Sequence, residues 1–139
     1  MCTLDSHIKS SISLVSSKTT NGSFNVNATT SNQPLMLNYD TSPVDSILHS
    51  RARTSNSPAT VSHHSAFEGT IALQSTIFPP SIDKREVEDP SGQGRHRSLE
   101  ISRVARGVLA GVVYWGMDRK EITGFTEVIS TNSPVHLQV

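Results

Sequence analysis

Ser55-Asn56-Ser57-Pro58-Ala59-Thr60-Val61-Ser62-His63 decides the architecture, because within nine residues it joins a turn to a strand. Asn tolerates left-handed backbone and caps its own turn, while Pro fixes φ and suits the first position of a strand, where no ladder N–H is needed. Ala59 and Val61 then alternate with polar residues, as one half-buried face requires. The same form recurs in Ser31-Asn32-Gln33-Pro34-Leu35-Met36-Leu37-Asn38-Tyr39 and Thr131-Asn132-Ser133-Pro134-Val135-His136-Leu137-Gln138-Val139. Thr20-Asn21-Gly22-Ser23-Phe24-Asn25-Val26-Asn27-Ala28 follows it with Ser23 in the proline position, and Ser75-Thr76-Ile77-Phe78-Pro79-Pro80 keeps the proline but has lost the Asn.

Prolines 34, 58 and 79 are 24 and 21 positions apart, and Ser46–Arg53 and Gly69–Ser75 between them are strand-like by alternation and β-branching. Self-similarity at this period predicts an all-β fold, a β-solenoid-like stack of two-strand units in which each coil buries its inner face against its neighbours. Strands at such spacing also fit a two-sheet β-sandwich, which is the alternative. The chain reads as a single domain over residues 8–139 with about eleven strands and no helix, preceded by a frayed tail at 1–7. Residues 83–98 are dense in both charge signs and in turn formers, and are expected to form an exposed loop. Val139 falls in a strand, which would leave the C-terminal end of a stack without a polar cap.

The 139 residues carry twelve Lys/Arg and twelve Asp/Glu, so there is no basic field to recruit nucleic acid or an anionic membrane. The single cysteine, Cys2, excludes an internal disulfide. The first residues lack the basic and apolar regions of a secretion signal. The apolar run Val108–Trp115 is far short of the ~20 residues a spanning helix needs. Compartment does not follow from these observations.

Gly92-Gln93-Gly94-Arg95-His96-Arg97 is the one segment with binding chemistry. Its backbone amides, freed by Gly92 and Gly94, and the Arg95 and Arg97 guanidinium groups are the donors an anion would contact. It lacks the third glycine, the Lys-Ser/Thr and the following helix of a nucleotide fingerprint, and Glu86, Glu88 and Asp89 are placed to neutralise its arginines locally, which is the alternative of a solvated, salt-bridged loop. His63, His64 and His49 invite a metal reading, but adjacent residues of a strand point to opposite faces and no ligand motif accompanies them, so no metal or cofactor is expected. Ser62, His64 and Asp45 could be assembled into a hydrolytic set, but no Gly-x-Ser-x-Gly elbow singles out a nucleophile, and no catalytic residue is assigned. Tyr114 and Trp115 must face opposite sides of their strand, one inward and one outward.

The Ser/Thr-Asn-Ser-Pro turns, followed by Val87-Glu88-Asp89-Pro90-Ser91-Gly92-Gln93-Gly94-Arg95 and then Gly111-Val112-Val113-Tyr114-Trp115-Gly116, resemble the adhesin-like domains of unknown function of basidiomycete fungi. The likeness covers residues 8–139. It implies a β-solenoid with the Asp-Pro-x-Gly-x-Gly-Arg segment separating two sets of strands, and a non-enzymatic structural or interaction role. Expected partners are a cell-wall polysaccharide or protein, including a second copy, met through sheet faces or edges. The alternatives are an anion-ligand-binding protein using the Gly92–Arg97 loop, and a truncated relic with no independent function.

Overall fold

The computed structural model describes residues 8–13, 22–43, 46–116 and 124–139, and every regular element among them is a strand. In chain order these are β1 (Ile8–Ser13), β2 (Ser23–Thr29), β3 (Leu35–Thr41), β4 (Ile47–Thr54), β5 (Ala59–Ser62), β6 (Gly69–Ser75), β7 (Ser81–Asp83), β8 (Arg97–Ala105), β9 (Val108–Trp115), β10 (Phe125–Ser130) and β11 (Val135–Gln138). Two open sheets result. One is parallel throughout, in the order β1-β3-β5-β11-β7. The other, β2-β4-β10-β6-β9-β8, is parallel as far as β6 and antiparallel at β9 and β8.

Period-2 alternation puts one side of each sheet into a shared core. Leu37, Val61, Leu137 and Ile82 share one cross-strand row of the five-stranded sheet, with Ala28, Ala52, Val128 and Leu73 on the facing sheet. The buried Tyr39 hydroxyl meets Ser50 Oγ across the gap at 2.6 Å. Burial pushes the phenol up to about 12 and the Ser50 bond opposes that shift, so Tyr39 is a neutral crosspiece.

Each Asn-x-Pro turn, and the Ser75–Pro79 turn that has lost its Asn, carries the chain from the six-stranded sheet to the five-stranded one, making the arches β2–β3, β4–β5, β6–β7 and β10–β11. The arches do not stack in chain order. The last one, β10–β11, lies between the second and third, with β10 between β4 and β6 and β11 between β5 and β7. Two ladders run through the turns. Outside, Asn132 donates its amide to Asn56 and Asn56 to Asn32, both at 2.8 Å. Inside, Thr54 Oγ1 donates to the Ser57 carbonyl, Ser130 Oγ to the same carbonyl at 3.2 Å, and Ser75 Oγ to Ser133 O at 2.9 Å. The Ser75–Pro79 turn, without its Asn, closes this end of the row through Thr76 N–H to Thr131 O at 3.2 Å.

The order corrects one expectation. Val139 does not lie at an uncapped end: it is fully buried, and its N–H donates to Asp83 O at 2.8 Å. The expected loop at 83–98 is also shorter, because Asp83 closes β7 and Arg97 and Ser98 open β8, leaving 84–96 without strand. The expected tail at 1–7 and the first two residues of the Thr20–Ala28 unit lie outside the described residues. Beyond β7 the five-stranded sheet stops, so Ile101 and Val104 of β8 stand 42% and 75% exposed.

Candidate functional site

The anion donors expected from sequence both approach the Trp115 ring, Arg95 at 6.0 Å and Arg97 at 5.7 Å from its centre, but keep different hydrogen-bond partners. Asp89, two residues before Ser91, folds the loop onto itself: its Oδ1 accepts from Ser91 N–H at 2.9 Å, Ser91 Oγ at 2.7 Å and Arg95 Nη2 at 3.1 Å. Its Oδ2 accepts from Arg95 N–H at 3.0 Å and Arg95 Nε at 2.9 Å. The Arg95 side chain, aided by Ser91 and the backbone amides, holds this carboxyl well below the usual carboxylate range. Gly92 and Gly94, at φ 73° and 68°, supply the left-handed backbone that lets the loop close. The carboxylate that Arg95 grips is thus supplied by the chain itself.

Arg97, two residues on, faces inward from the start of β8 and is only 7% exposed. Its guanidinium lies 5.7 Å from the centre of the Trp115 ring, opposite Arg97 in the β8–β9 register. Trp115 is buried and fixed at both ends, its N–H donating to Glu68 Oε1 at 2.6 Å and its indole Nε1–H to Ser65 O at 2.9 Å. Tyr114 takes the opposite face, with its hydroxyl donating to Glu100 at 2.6 Å, as alternation demands. Arg97 Nη2 reaches Phe67 O at 3.5 Å, while Nε and Nη1 are buried and have no acceptor. Burial pulls this guanidinium down to about 10, with Arg85 adding to the shift and Glu68 opposing it, so it stays cationic at neutral pH.

His63 completes the cluster. Its ring is fully buried and sandwiched, 5.0 Å from Tyr39 and 4.0 Å from Phe67, both nearly parallel to it. Nε2 meets Thr126 Oγ1 at 2.6 Å, and Nδ1 has no partner. Burial, then the charges of Arg97 and Arg85, lower its pKa to about 3, so the imidazole is neutral. An unmatched lone pair is cheaper to bury than an unmatched N–H, which favours the tautomer in which Nε2–H donates to Thr126. Arg85, after β7, donates from Nη2 to His63 O at 2.6 Å. His64 shifts down in the same way, by desolvation and then by Arg85 and Arg97.

Sequence reading gave Arg97 but neither Arg85 nor the 63–68 connection, because nothing local ties residues 22 and 34 positions apart. His49 is exposed on β4 whereas His63 is internal, and no group of three His, Cys, Asp or Glu among the described residues is arranged to hold a metal. Ser62 donates to Gln138 Oε1 at 3.0 Å, His64 Nδ1 accepts Ala66 N–H at 3.2 Å, and Asp45 lies outside the described residues. No helix among the described residues is long and apolar enough to cross a membrane. No family model matches the chain, and no match to it is found among curated proteins or solved structures.

Proposed function

We propose that the chain is a non-enzymatic, adhesin-like interaction module of β-solenoid-like build, which meets a polysaccharide through the outer face of its five-stranded sheet. The observation that carries this reading is the chemistry of that face. An all-parallel sheet is ordinarily covered on both sides. Here the outer face presents Asn38, Ser62, Gln138 and Asp83 in one row, and Met36, Thr60, His136 and Ser81 in the next. Ser81 Oγ is 2.7 Å from His136 Nδ1, and His136 Nε2 is 3.4 Å from Asp83. Rows of hydroxyl, amide and imidazole groups spaced by the ~4.8 Å of adjacent strands offer a flat, regular set of donors and acceptors to a polyhydroxylated chain.

Co-sedimentation of the purified chain with insoluble β-glucan and chitin tests the reading. Retention by either polymer is expected, with Thr60→Arg, which raises a bulky charge in the middle of the face, cutting it about tenfold at an unchanged circular dichroism spectrum. A chain that is monomeric by light scattering and retained by neither polymer overturns the proposal.

A further inference from the structure

We propose that the Trp115 end of the core is a binding site for a small oxyanion of the carboxylate or phosphate class, held between the guanidinium groups of Arg97 and Arg85. This inference is independent of the glycan-binding reading.

Three observations carry it. Arg97 is more than nine-tenths buried, yet two of its nitrogens have no acceptor and a third has only the 3.5 Å contact with Phe67 O. A guanidinium brings five N–H donors in a rigid fork, and burying a charged group with unmatched donors is among the more expensive arrangements in a protein. The Trp115 ring beneath it holds that fork in a fixed orientation.

Next, two carboxylates near the ring already accept other donors. Glu68 Oε1 takes the Trp115 N–H, and Asp89 is committed to Arg95 and Ser91. Finally, a second cation addresses the same connection: Arg85 is anchored on His63 O, four residues before the carbonyl that Arg97 reaches. Burial first, and then the charges of these two arginines, disfavour His63 and His64 as cations, so both guanidinium groups act on the same connection. Among the described residues, three guanidinium groups, Arg85, Arg95 and Arg97, are therefore matched by two carboxylates, Asp89, which Arg95 binds, and Glu68. One further anionic group would balance the cluster and supply the missing acceptors. Arg85 is exposed and Arg97 is not, so the ligand would enter past the first and be gripped by the second. Planar or tetrahedral oxyanions match an arginine fork; halides do not.

The test is titration of the 139-residue chain with inorganic phosphate and with malonate, at ionic strength held constant with chloride, followed by calorimetry and by the Arg97 Nε–H resonance. Saturable binding that shifts this resonance is expected, with Arg85→Gln weakening the apparent affinity about tenfold, the effect of losing one charge-assisted contact. Arg51→Gln, on the far side of β4, should leave it unchanged. A response to phosphate alone assigns a phosphoryl ligand, and one to malonate alone a carboxylate. The absence of saturable binding by both anions overturns the site, as does binding that leaves Arg97 Nε–H unmoved or is equally tight in Arg85→Gln.

Discussion

Asn132 donates its side-chain amide to Asn56 at 2.8 Å, across 76 residues of chain. A side-chain amide is donor and acceptor at once, so it can receive a bond from one arch and pass one to the next. Ile77, which occupies the corresponding place in the β6–β7 arch, can do neither. Stacking in chain order would set Ile77 between Asn56 and Asn132 and break the row. Insertion of β10–β11 keeps the three amides continuous and leaves Ile77, 64% exposed, beyond them.

The middle rung should therefore matter more than the ends. Asn56→Ala removes two amide bonds and Asn32→Ala one. At about 0.5 kcal/mol for each exposed bond, Asn56→Ala should cost about 1 kcal/mol and Asn32→Ala about half of that, measured by urea denaturation. Equal costs would show that the ladder follows the stacking order without contributing to it.

Leu137, fully buried in the inserted strand, contacts a core built from all four arches. Leu137→Ala is expected to cost about 2–5 kcal/mol and to lower the midpoint of the whole transition, since β11 joins β5 to β7. Ile77→Ser, at the exposed corner, should stay within about 0.5 kcal/mol. A Leu137→Ala chain of unchanged midpoint would contradict the insertion.

His63 makes stability depend on pH. Its pKa falls from 6.5 in the unfolded chain to about 3 in the fold, where Tyr39 from β3, Thr126 from β10, Phe67, Arg85 and Arg97 surround it. The unfolded chain therefore binds the extra proton between these values. The stabilisation is fully present above pH 6.5 and is lost as pH falls toward 3, by up to about 1.4 kcal/mol per unit. Unfolding free energies at pH 7.5, 6 and 5 should show this slope in the wild type and a shallower one in His63→Phe, whatever the absolute stability of the variant.

Two glycines of similar backbone should respond differently. Gly94 has φ 68° and open space where a Cβ would go, so Gly94→Ala should cost about 1 kcal/mol of left-handed strain alone. Gly107 has φ 75° and a Cβ position 2.2 Å from Ser75 O, the end of β6 on which the β8–β9 turn rests. Gly107→Ala is expected to cost about 2–4 kcal/mol, the strain plus displacement of that turn. Thermal unfolding of the two variants side by side distinguishes the terms.

Turns and strands were legible in the sequence because their causes are local. Pro34, Pro58 and Pro134 mark strand starts through their own φ, and the alternation of Leu35, Leu37 and Tyr39 marks an inner face through a two-residue period. The hydroxyl ladder is not part of the turn motif, since Thr54 and Ser130 each stand one residue before a Ser/Thr-Asn-x-Pro unit. The binding chemistry was less legible. Gly92, Gly94, Arg95 and Arg97 read as one set of donors, but the fold gives Arg95 to Asp89 and sends Arg97 inward onto Trp115.

Sequence alone determined that the chain is all-β, where most strands lie and which residues of the proline-led strands face inward, because backbone restriction and side-chain alternation act over a few residues. Tertiary structure alone decided that the last arch is threaded between its predecessors and that Arg97 is buried beside Arg85. Both depend on groups tens of residues apart, and their energies are set by what lies opposite: an amide that meets another amide, and a guanidinium whose nearby carboxylates are already engaged.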